Sequence, residues 1–143
     1  MELTWTGNQG AGTCHYTSYS RDYVLVGVGK PLIPGSSDPA FRGDPTRYNP
    51  EEMLLGALAS CHMLWYLHLC AENGIVVNEY MDNATGVMIE SESGSGRFSE
   101  VTLNPIVKLV NPEQAAQAKA LHTKANQFCF IANSCNFSVR YNV

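Results

Sequence analysis

Apolar and polar positions along the chain fall into short alternating stretches, one long apolar run and a second set of alternating stretches. Residues 2–6 alternate and predict a strand, and the glycines of Gly7 to Gly12 predict a turn. Residues 14–19 are short and β-prone. The clearest strand of this region is Tyr23-Val24-Leu25-Val26-Gly27-Val28, bounded by Gly29 and Pro31. Residues 31–48 hold Pro31, Pro34, Pro39 and Pro45 together with Gly35, Gly43 and the pair Ser36-Ser37. Such a composition predicts a long irregular connection, and connections of this length tend to serve function.

The long apolar run opens as a helix should. Asn49 is a favoured N-cap, Pro50 suits the first helical position, and Glu51 and Glu52 lie where the helix dipole favours negative charge. Glu52 is placed to close a capping box on Asn49. Leu54, Leu58, Cys61, Trp65, His68 and Leu69 recur at helical spacing, and Leu55, Leu64 and Leu67 widen the apolar surface. The pattern predicts a helix of about 24 residues, roughly 36 Å long, buried on most sides and ended by Gly74.

Two strands follow, over residues 84–92 and 98–110, joined by Gly94-Ser95-Gly96 in a hairpin; Pro105 splits the second or places it at an edge. Asn111-Pro112-Glu113 repeats the helix opening, and an alanine-rich helix runs through Ala115, Ala118, Leu121, His122 and Ala125. In residues 137–143, Phe137, Val139, Tyr141 and Val143 alternate with Ser138, Arg140 and Asn142, which predicts a final strand. The sum is one α+β domain over residues 1–143: β meander, long central helix, hairpin, second helix and closing strand, with helices on a largely antiparallel sheet.

Composition narrows the function classes. With 143 residues and 45% hydrophobic content, the chain can build a core without disulfides or metals. The net charge of −4 comes from scattered residues, with no basic stripe for nucleic acid. The N-terminal stretch does not have the form of a signal peptide. The run at residues 53–71 carries His62 and His68, which suits a buried helix better than a membrane span. Five cysteines, an odd number without a CxxC pair, point to reduced thiols and a cytoplasmic protein.

The chemistry the sequence offers is thiol chemistry. Cys61 interrupts the apolar helix, and Cys129 lies at the end of the second helix between Phe128 and Phe130. Free cysteine is among the most buried residue types, so both have an ordinary reading as core residues. Against it stand Arg42 and Arg47 in the preceding loop. A guanidinium folded back onto Cys61 favours the thiolate, and Glu51 is placed to hold that guanidinium. A thiolate oxidised by peroxide becomes a sulfenic acid, which a second thiol within reach converts to a disulfide. Other chemistries fit less well. Cys14-His15, Cys61-His62 and His68 lack zinc-ligand spacing. Ser60 and Ser134 lack a nucleophile-elbow context, and Gly27-x-Gly29 is a turn rather than part of a dinucleotide fingerprint. Cys70 and Cys135 read as packing residues.

The run from Asn49-Pro50-Glu51-Glu52 through small and aliphatic residues to Ala59-Ser60-Cys61 resembles the OsmC/Ohr family of thiol peroxidases. Cys129-Phe130-Ile131-Ala132-Asn133-Ser134 resembles that family's second cysteine motif, and Phe41-Arg42-Gly43 lies where the family carries its loop arginine. The resemblance covers nearly the whole chain. It implies a peroxidatic Cys61, a resolving Cys129, and an activating network of Arg42 and Glu51. It further implies organic hydroperoxides as substrates, a dithiol reductant of the lipoyl type, no metal or organic cofactor, and an intertwined homodimer with sites at the subunit interface. Met53, Leu54, Leu58, Phe41, Phe128 and Phe130 would then wall an apolar pocket. His62, directly after Cys61, departs from the aromatic or aliphatic residue common there. A fold does not fix a function, so the rival expectation is a non-catalytic dimer of the same fold that binds an apolar small molecule.

Overall fold

A computed structural model describes every residue, Met1–Val143. The chain forms two compact units, Met1–Leu54 and Leu55–Val143. In the first, β1 (Glu2–Trp5), β2 (Tyr23–Val26) and β3 (Ile33–Gly35) make an antiparallel sheet in the order β1-β2-β3. Trp5 lies opposite Tyr23, and Tyr23 opposite Gly35. Gly35 has to be glycine, because a Cβ there would run into the Tyr23 ring.

Residues 14–19, expected as a strand, form turns instead, touched only by an isolated bridge from Tyr19 to Asn8. Local hydrogen bonding outcompetes β-propensity here. The Asn8 side chain accepts from the amides of Gly10 and Gly12, at 2.9 and 3.1 Å, and Ser18 Oγ donates to the carbonyls of Gly12 and His15.

The proline-rich connection is ordered around Ser36, which is fully buried. Its hydroxyl donates to Asp22 Oδ1 at 3.0 Å and accepts from the Asp44 amide at 3.1 Å, while its own amide donates to the Tyr48 carbonyl. A 3-10 turn over Pro39–Phe41 follows, capped by the Asp38 carboxylate.

Helix α1 (Pro50–Glu72) begins with the expected capping box: the Glu52 amide donates to Asn49 Oδ1 at 2.8 Å, and the Asn49 amide donates to Glu52 Oε2 at 3.0 Å. It ends at Gly74, whose φ of +66° is the left-handed cap that favours glycine. By length and composition α1 would suffice to cross a bilayer. The expectation that it is buried on most sides fails for the single chain. Only Leu58, His62, Tyr66, Leu69 and Cys70 are buried, one stripe at helical spacing, while Leu64 is 63% exposed.

The second unit adds two further sheets. Strand β4 (Val77–Asp82), which the sequence reading missed, pairs with β7 (Pro105–Leu109). Strands β5 (Thr85–Glu90) and β6 (Gly96–Leu103) form the expected hairpin, and β8 (Ser138–Tyr141) joins β6 in parallel. Pro105 divides β6 from β7 as expected, so one predicted strand serves two sheets. Pro112–Gln114 form a 3-10 turn that leads into α2 (Ala115–Phe128), and a four-residue α3 (Phe130–Asn133) follows. Tyr66, Leu69, Cys70 and Ile75 pack with Ala118 and Ala125 of α2 as the core of this unit. The small alanines let α2 approach α1 closely: the His122 ring lies flat on Tyr66 with centroids 3.9 Å apart.

Candidate dithiol site

Cys61 is half-buried on α1, and Cys129 is buried at the junction of α2 and α3. That junction explains the placement. Cys129 turns to φ −65°, ψ 108°, which ends α2, and its sulfur then caps α3 by accepting from the Ala132 amide at 3.4 Å. The two thiols are direct neighbours and both are free. Burial, followed by side-chain contact with Cys61 and the charge there, pushes the Cys129 thiol up to about 11, against the opposing amides of Ala132 and Ile131. Cys129 therefore keeps its proton at neutral pH. The Trp65 ring stands one turn beyond Cys61, stacked on Phe128 at 5.1 Å and edge-on to Phe130 at 5.9 Å. The rings on either side of Cys129 thus form an aromatic shelf with Trp65.

The remaining expected site residues lie in the first unit. Arg42 is exposed and sits in the left-handed region, at φ 66°, as the cap of the Pro39–Phe41 turn. A non-glycine residue rarely adopts this conformation. Gly43 follows where a Cβ would collide with the Ser37 carbonyl. Arg42 makes no ion pair, whereas Arg47, the other arginine of the loop, is half-buried and shared between Asp22 at 3.7 Å and Asp44 at 3.4 Å. Glu51 is half-buried in the first turn of α1 and, after burial, is the second cause that raises the Tyr23 hydroxyl. No ion pair joins Arg42 to Glu51.

The stripe expected along α1 through Cys61 and His68 is displaced by about one residue. His62 takes the buried place, and His68 is on the surface beside Glu72. His62 Nε2 lies 2.9 Å from His122 Nδ1, and both rings are essentially sealed from solvent. Burial pulls both imidazoles down to about 4, with the neighbouring His62 adding to the effect at His122. The sequence carried a signal for this pair: Ala118, His122 and Ala125 share one face of α2 at helical spacing, which puts a histidine among small core residues.

An α+β chain with a long central helix that sets one free cysteine against a second, at the end of the next helix, has the architecture of a dithiol protein. Comparison with known proteins supplies the family. The family model described as OsmC-like protein matches residues 43–143, and the chain belongs to that family. An OsmC-like protein of unknown function from Vibrio cholerae has a similar structure, with TM-score 0.85 and 30% identity, over 99% of this chain and 95% of that one. More distant structures share the fold. An organic hydroperoxide resistance protein OsmC from Legionella pneumophila gives TM-score 0.66 at 16% identity, covering 86% of this chain and 90% of that one. An organic hydroperoxide resistance protein from Elizabethkingia anophelis gives 0.64 at 20% identity, covering 85% and 90%. No curated protein matches the sequence.

Proposed function

We propose that the protein reduces organic hydroperoxides by a two-cysteine mechanism and serves in peroxide-stress defence. The observation that carries this reading is the adjacency of the Cys61 and Cys129 thiols; family membership supports it. Cys61, as thiolate, attacks the terminal peroxide oxygen. The O–O bond breaks, the alcohol leaves with a proton, and Cys61 becomes a sulfenic acid. Cys129 then attacks that sulfur, water leaves, and a disulfide forms. A dithiol reductant, in our reading of the lipoyl type, restores both thiols by exchange. The raised pKa of Cys129 holds its proton on the sulfur until the disulfide-forming step, where it leaves with the sulfenic hydroxyl as water.

Arg42 is our choice for the activating cation. It is free of ion pairs, while the charge of Arg47 is committed to Asp22 and Asp44. Glu51 would orient it. The aromatic shelf of Trp65, Phe128 and Phe130 suits an apolar substrate tail. We place the protein in the cytoplasm as a homodimer; the apolar residues left exposed in one chain support the latter.

The test is to add cumene hydroperoxide and count free thiols per chain. Loss of the Cys61 and Cys129 thiols, with a Cys61–Cys129 link by mass spectrometry, is the expected result. Retention of both would favour the rival reading, a non-catalytic dimer that binds an apolar small molecule.

A further inference from the structure

A separate opening of about 170 Å³ lies in the second unit, between α2 (Ala118, Lys119, His122), β7 (Val107, Leu109) and Tyr66 of α1. Most of its wall is apolar. Two polar groups converge on it, and neither is used by the thiol chemistry.

The first is His122. Its Nδ1 faces His62 Nε2 at 2.9 Å, and its Nε2 has no partner in the chain. His62 Nδ1 is also unpartnered, but it is fully sealed, whereas His122 lines the cavity. With Nδ1 turned to His62, the edge that the His122 ring offers to this cavity is its Nε2 side. A single proton lies between the two rings, and the surroundings decide who owns it. If His122 donated, His62 would carry its N–H on the sealed Nδ1 with no acceptor, at a cost of about 1–3 kcal/mol. Orphaned buried N–H groups are rarer than under-used acceptors. If His62 donates, its Nδ1 keeps only a lone pair, and the His122 N–H is on Nε2, facing the cavity. Both rings are neutral near pH 7, so His122 offers this one donor.

The second group is Lys119, one turn before His122. It is exposed on the rim and forms no ion pair within the chain. A donor held rigidly at the base and an unpaired ammonium at the mouth call for an anion that accepts hydrogen bonds. The apolar remainder calls for an aliphatic tail. The volume is below the roughly 300–1,000 Å³ of pockets for drug-sized ligands, which keeps that tail short.

We propose that this cavity binds a short-chain aliphatic carboxylate, its head group between His122 Nε2–H and the Lys119 ammonium and its tail against Val107, Leu109 and Tyr66. The site is independent of the thiol pair, and its failure would leave the peroxidase reading untouched.

The experiment titrates butyrate, and in parallel its neutral isostere butyramide, into histidine-¹⁵N-labelled reduced protein near pH 7. Ligand-free spectra should show both rings as Nε2–H tautomers. Butyrate should then shift His122 Nε2 saturably and bind about tenfold more tightly than butyramide, a difference of about 1.4 kcal/mol. Lys119→Ala, a change at an exposed position that leaves the core intact, should bring butyrate down to the affinity of butyramide. An Nδ1–H tautomer at His122, no saturable shift, equal affinity for the two ligands, or an undiminished preference in Lys119→Ala would each overturn the proposal.

Discussion

Three residues carry the proposed chemistry in different ways. Cys61→Ser should abolish consumption of cumene hydroperoxide, since no other thiol has both the partner and the partial exposure of Cys61; peroxide turnover at the wild-type rate would refute its role. Cys129→Ser should still allow a first attack, but the sulfenic acid would meet no resolving thiol and would advance to sulfinic acid. Mass spectrometry after excess peroxide reads that outcome directly. Arg42 offers a cleaner separation of function from stability. A side chain at φ 66° is strained by about 1–2 kcal/mol relative to glycine, and that relief roughly offsets the extra unfolded-state entropy of glycine, about 0.4–1 kcal/mol. Arg42→Gly should therefore unfold at nearly the wild-type denaturant concentration while peroxidase activity falls by at least about tenfold. Equal activity in the two proteins would remove Arg42 from the mechanism.

At the scale of elements, helix α1 depends on its first turn. The Asn49 side chain satisfies the Glu52 amide, and Glu52 returns the bond. Asn49→Ala should cost about 0.5–2 kcal/mol, visible as a lower urea midpoint with an unchanged slope. Both halves of this capping box were legible in the sequence, because capping is local chemistry that depends on residues three apart. The burial pattern of the same helix was not. Leu58 and Leu69 belong equally to a stripe through Cys61 and to one through His62 and Tyr66, since apolar residues surround the helix on every side. Only the partner helix decides between them: α2 presents Ala118 and Ala125, whose small side chains pack with Tyr66, and His122, which meets His62. Residues 14–19 failed for another reason. The hydroxyl of Ser18, bonded to both the amide and the carbonyl of His15, claimed backbone that β-propensity would have paired.

For the molecule as a whole, the His62–His122 pair makes stability sensitive to acid. Both pKa values fall on folding, from an ordinary 6.5 to about 4. The unfolded chain thus binds more protons than the folded one between these values, and stability is fully present above about pH 6.5 and lost as pH falls toward 4. Going from pH 7 to 5 should cost on the order of 2 kcal/mol for each ring, measured as a falling urea midpoint. A midpoint that holds steady over this range would show that folding lowers the pKa of neither ring. The same scale governs assembly. Strand β5 is exposed along its whole length, with Val87, Met88 and Ile89 between 43% and 51% exposed. Contiguous apolar surface of this kind seeks a cover, and sedimentation equilibrium should return the mass of two chains. A monomer at micromolar concentration would contradict the assembly proposed.

The amino-acid sequence alone determined the features that depend on near neighbours: the caps of α1, the glycine that ends it, the β5–β6 hairpin, the break at Pro105, and the two cysteine motifs with Arg42 that pointed to the OsmC family. What needed the tertiary structure were relations between distant residues: the parallel pairing of β8 with β6, the meeting of Cys61 with Cys129 across 68 positions (129 minus 61), and the burial of His62 against His122. A local pattern records which face an element can bury. Which residue it then meets is set by closing a long loop against chain entropy, and that contest is decided only by the packing of the completed core.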